Sequence, residues 1–136
     1  MSRVARQQFH DLIRASIAAH GHHITLVQGG PLPRYAYTIG ANPPSGVEYV
    51  LAGAAWFTAD EVRRVLGAVV ESHMDTNASV AMDGLGRFVA SPVHPSWSTS
   101  LMLGVLDYYD TQHIEALQVV PEDGYWTIDV PRMAEA

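Results

Sequence analysis

The chain has no cysteine and no lysine, and each absence removes chemistry. Without cysteine there is no disulfide, no thiolate nucleophile and no zinc site that uses sulfur. Without lysine there is neither a Schiff-base amine nor the lysine of a phosphate-binding loop. Basic charge is also scarce: eight arginines face fourteen acidic residues, for a net charge of −6. The one adjacent basic pair, Arg63-Arg64, falls on the polar side of a helix, so no basic stripe offers itself to nucleic acid. No run of eighteen apolar residues exists to cross a membrane. The opening residues, Met1 to Gln8, lack the apolar stretch of a signal peptide, so a cytoplasmic location is expected.

What remains is a lightly charged chain of 136 residues, 48% apolar and 16% charged. That size and composition fit one globular domain, 1–136, with a core of ordinary extent. The periodicities predict an α+β fold. An N-terminal helix over 4–20 places Phe9, Leu12, Ile13 and Ile17 on one face, and Gly21 stops it. Strands follow at 22–28, 34–40 and 47–53, separated by Gly/Pro-rich turns. Thr58-Ala59-Asp60-Glu61 matches a capping box and opens a second helix to about Met74, striped by Val62, Val65, Leu66, Val69 and Val70. Strands at 78–82 and 86–91 come next. A third helix is expected from near Pro95 to about Tyr109, apolar nearly all round, and a last strand at 113–120. Strands in runs between helices favour a mostly antiparallel sheet with about three helices packed on it.

Seven histidines stand out in so small a chain, and three crowd into His20-Gly21-His22-His23. His20 and His73 each fall on the apolar stripe in a last helical turn. There an imidazole either bonds terminal carbonyls or points toward an internal pocket. His22 and His23 alternate on a strand, so only one of them is expected in any single site. His20 and His22 lack a third ligand, so no metal site is expected. His10 and His113 read as surface or strand-edge residues.

Three further stretches bear on a site. Tyr35, Tyr37 and Ile39 share one strand face, and Arg34, Ala36 and Thr38 the other. Tyr37-Thr38 beside Gly40 fits either aromatic packing or a pocket rim. His94-Pro95-Ser96-Trp97 precedes a helix, where free amide donors favour an anionic ligand or a simple cap. Gln118 is a polar group on an otherwise apolar strand face, and its burial demands partners.

These residues resemble the small bacterial proteins catalogued as domain of unknown function 4262. The resemblance rests on Gly21 to Val27, on Tyr35-Ala36-Tyr37-Thr38-Ile39-Gly40, and on Ala116 to Asp123. It spans about residues 20–130 and singles out Ala36, Tyr37, Thr38, Gly40 and Gln118. It implies no particular activity or cofactor.

Two functions from different classes are therefore expected. One is a small cofactor-independent enzyme acting on a small organic substrate. His23 or His94 would be the base, Tyr37 the acid or donor, and Thr38, Trp97 and Gln118 the substrate-positioning groups. The other is a non-catalytic binding or interaction module, such as an immunity or regulatory protein, acting through its acidic surface and buried third helix. Separately, a homodimer built on the third helix is expected.

Overall fold

Ser2 begins the first helix by accepting a hydrogen bond from the Ala5 amide at 3.0 Å, which satisfies one of the free donors of the first turn. The computed structural model describes residues 2–27, 35–40, 47–51, 58–75, 77–93 and 102–122. Helix α1 runs Arg3–His20 and ends where Gly21 turns left-handed at φ 83°. It buries Ile13, with Phe9 and Ile17 packed beside it. Leu12, expected on the inner face, instead stands 57% exposed. The apolar stripe is narrower than its spacing suggested.

Helix α2, Ala59–Glu71, follows its sequence signals closely. Thr58 and Glu61 exchange both bonds of the capping box, at 3.1 and 2.8 Å. All five residues of the predicted stripe are buried. Each such burial contributes about 1.5–3 kcal/mol before the entropy of ordering is set against it. The helix stops at Ser72, earlier than expected, and His73 then adopts φ 49°. This corrects the expectation for His73: it lies beyond the last turn and is exposed.

Six strands form one sheet: β1 His23–Val27, β2 Tyr35–Ile39, β3 Glu48–Leu51, β4 Ser79–Met82, β5 Gly86–Pro92 and β6 Ala116–Pro121. Their order is β1-β2-β3-β6-β5-β4. Every pairing is antiparallel except β3 with β6, where Glu48, Tyr49 and Val50 lie against Ala116, Leu117 and Gln118. The third helix, α3, is described over Leu103–Tyr109. Its expected start near Pro95 lies outside the described residues.

Alternation along the strands divides the core in two. Ala36, Tyr49, Leu51, Phe88, Ala90, Leu117 and Val119 face α2. Tyr37, Ile39, Val50 and Ala116 face α1 and α3, meeting Ile13, Met102 and Val105. The domain is therefore α+β, with helices on both faces of a mostly antiparallel sheet.

Candidate functional site

A carboxylate sits at the centre of the sheet end where β2 leaves and β3 enters. Glu48 is fully buried, and its oxygens collect three donors, from β2, from the residue just past it and from α3. Thr38 Oγ1 donates to Oε1 at 2.7 Å and itself accepts from the Tyr49 amide at 2.9 Å. The Gly40 amide and the Tyr109 hydroxyl reach Oε2 at 3.0 and 2.8 Å. Gly40 N–H is shared, since it also meets the Tyr109 oxygen at 2.8 Å. Burial, with Glu48 close by, raises the Tyr109 phenol well above its usual range, so it remains a neutral donor. A buried carboxylate needs such donors, each worth about 1.5–3 kcal/mol when the partner is charged.

Gly40 is required there for two reasons. Its φ is +106°, and a Cβ would come within 2.8 Å of Ile17 Cγ1 on α1. Thr38 and Gly40 thus hold a structural carboxylate. Neither Glu48 nor Tyr109 was marked by the sequence reading. The signal available was one acidic residue inside the apolar strand Glu48-Tyr49-Val50-Leu51.

Tyr37 is on the opposite side of β2 from Thr38. Its hydroxyl accepts from the Gly104 amide at 3.1 Å, where α3 begins. A Cβ on Gly104 would lie 2.6 Å from that oxygen, so the glycine admits the phenol. Burial raises the Tyr37 pKa, and the Gly104 amide pulls the other way. Gln118 lies in the same cross-strand row, with Val50 between the two. It is 2% exposed, and its Oε1 has no hydrogen-bond partner among the described residues. His23 stands elsewhere, on the outer strand. The described residues therefore do not bring His23, Tyr37, Thr38 and Gln118 into one pocket. His94 and Trp97 lie outside the described residues.

A cavity opens along the outer edge of β1. It measures about 680 Å³ and is lined by Ser16, Ala19, His20, His22, His23 and Ile24, with Arg63, Gly67 and Glu71 of α2. The expectation that only one of His22 and His23 could enter a site is corrected here. At an edge strand, the opening lies beside the strand rather than above one face, so side chains from both faces border it. His22 turns to the α2 side, where its Nε2 would be 3.8 Å from a Cβ on Gly67. His23 turns to the α1 side. His20, expected on the apolar stripe, is exposed and joins them at the rim.

Electrostatics keep two of these rings neutral. Burial lowers the His22 pKa and the nearby His20 charge adds to the effect, while a contact of the ring with the His20 backbone carbonyl, and then Glu71, oppose it. Burial and then His22 lower His23. A neutral imidazole offers one donor and one acceptor. Among the described residues, buried His22 Nδ1 finds no partner of good hydrogen-bond geometry. Among the described residues no three His, Asp or Glu side chains converge to hold a metal ion. Gly67 in mid-helix, four residues from both Arg63 and Glu71, was the sequence signal for this cleft.

A separate polar contact joins the two helices of the other face. Asp107 takes a hydrogen bond with His10 Nε2 at 2.8 Å and an ion pair with Arg6. His10, and then Arg6, hold the Asp107 carboxyl below its ordinary range. His10 was expected to be a plain surface residue, but it ties α1 to α3.

No helix among the described residues is long and apolar enough to cross a membrane. The family described as Domain of unknown function (DUF4262) matches residues 16–125, a span that holds every cleft residue and the whole Glu48 cluster. No curated protein and no solved structure matches the chain.

Proposed function

The chain belongs to the DUF4262 family, and from that premise we propose that the cleft at the β1 edge is a small-molecule site where His22 and His23 do acid–base work on an organic substrate. The observation that carries this reading is the gathering of three imidazoles, a guanidinium and a carboxylate around one cavity of about 680 Å³. That volume is in the usual range for a small-ligand site. Rings held neutral at pH 7 are ready to take a proton, and a well-placed general base contributes about 10²–10⁴-fold in rate. His23 keeps the role of base expected from the sequence, and His22 takes the place given to His94. Tyr37 and Thr38 act from behind the site, one seating α3 and the other holding Glu48.

The test is a turnover screen. The protein is incubated with a defined pool of polar metabolites, and each is followed by mass spectrometry. At least one compound is expected to be consumed, with the rate falling about 100-fold in His22→Gln or His23→Gln. Equal consumption by folded variants overturns the reading.

A second reading, a non-catalytic binding or interaction module of the immunity or regulatory kind, draws on Val4 and Leu12 of α1 and Leu103 of α3. These are large apolar side chains left exposed. A homodimer through α3 belongs to that reading. Sedimentation as a monomer at high concentration removes the dimer.

A further inference from the structure

Arg63, Gly67 and Glu71 stand at i, i+4 and i+8 on α2, and all three line the cleft. A cation and an anion therefore flank a residue with no side chain. Eight residues of helix separate their backbones by about 12 Å. Above the bare position lies the His22 ring, 3.8 Å from where a Cβ would sit. The cleft is positive at one end, negative at the other and neutral between.

Among the described residues, neither charge is held in a strong or buried pair. Arg63 Nη1 reaches Asp60 at 3.4 Å, but both side chains are largely exposed, 60% and 94%. Such a pair is worth little and is readily exchanged for a bidentate carboxylate. Glu71 makes no ion pair among the described residues. The third observation is independent of charge: among the described residues, buried His22 Nδ1 has no partner of good hydrogen-bond geometry, the His20 carbonyl contact falling short of one. Leaving such a group unmet is unfavourable, and a hydrogen-bonding ligand relieves it. A plain anion would satisfy Arg63 and face Glu71 at the far end. A plain cation would do the reverse.

We propose that the ligand class of the cleft is a short zwitterion of amino-acid to dipeptide size. Its carboxylate meets Arg63, its ammonium meets Glu71, and a polar group between them meets His22 Nδ1. This rests on the cleft being the functional site. Two extended residues span about 7 Å, so about 5 Å of the roughly 12 Å backbone separation is left for the two long side chains to close.

The probes are glycylglycine, N-acetylglycine (the anion alone) and glycinamide (the cation alone). Ring signals of His22 and His23 are followed by NMR, assigned through the two glutamine variants. Glycylglycine is expected to shift both rings saturably and to bind about tenfold more tightly than either half-charged probe. Arg63→Ala and Glu71→Gln, both surface changes, are each expected to weaken it about tenfold. N-acetylglycine binding as well as glycylglycine, or Glu71→Gln leaving affinity unchanged, overturns the zwitterion class in favour of an anion and leaves the cleft intact. No saturable shift with any probe also overturns the class. The metabolite turnover of His22→Gln and His23→Gln decides separately on the cleft itself.

Discussion

The Glu48 cluster and the β1-edge cleft are built from neighbouring stretches of chain, yet they treat polar groups in opposite ways. Around Glu48, two hydroxyls and a backbone amide all converge on one fully buried carboxylate. Around the cleft, imidazoles border open space, and one buried ring nitrogen has no well-placed partner among the described residues. Saturated polar groups hold a fold, because every change leaves a buried partner stranded. Unsaturated ones at an opening are free to meet something else. The comparison explains why the family-bearing residues Thr38 and Gly40 belong to the architecture rather than to the cleft.

Substitutions test that division, and the largest effect is expected at Glu48. Glu48→Ala strands Thr38, Gly40 and Tyr109 together and should lower unfolding free energy by about 3–5 kcal/mol, measured by urea denaturation. A loss under about 1 kcal/mol would show the cluster to be dispensable and break the comparison. Gly40→Ala comes next, at about 2–3 kcal/mol, since it combines a backbone at φ +106° with a clash against Ile17.

On the cleft side the sign reverses. Gly67→Ala meets His22 only at ordinary contact distance and removes a mid-helix glycine, so it should stabilise by about 0.5–1 kcal/mol. The same methyl narrows the cleft floor and should weaken glycylglycine binding. Destabilisation, or undiminished binding, would show that the bare position serves the fold alone.

The smallest effect concerns acid. His22 and His23 have folded pKa values below the ordinary 6.5, so the unfolded chain takes up protons first as pH falls. Stability is therefore unaffected above 6.5 and declines below it, until the lowered folded values are reached. A His22→Gln, His23→Gln double variant should show a shallower fall in urea midpoint between about pH 7.5 and about pH 5. An unchanged slope would mean the rings are no more shielded than in the unfolded chain.

Much of the fold was legible because local signals and tertiary packing agreed. The capping box at Thr58 and the stripe from Val62 to Val70 specify α2 without help from elsewhere. The strands followed from their turns. The site was less legible, since it depends on where a strand lies in the sheet. Alternation correctly separates His22 from His23, but only the place of β1 at the sheet edge lets both border one opening. Glu48 was overlooked because its partners Thr38, Gly40 and Tyr109 come from distant positions. Gln118 was rightly marked as a buried polar group, though its partner is still missing among the described residues. His20 shows the limit of helical periodicity: an angle around an axis does not say whether the helix end extends past the core.

The parallel pairing of β3 with β6 has a consequence for how the molecule is made. Glu48 lies against Ala116, so 68 residues separate the two in sequence. During synthesis, β1, β2 and β3 leave the ribosome long before the strand that covers them and before Tyr109 arrives to donate to the carboxylate. Until then the β3 edge stands unpaired, and the carboxylate has only the donors that precede it, Thr38 and Gly40. An acidic side chain on an open edge works against pairing with another chain, so the residue that later ties α3 to the sheet also guards that edge while it is bare.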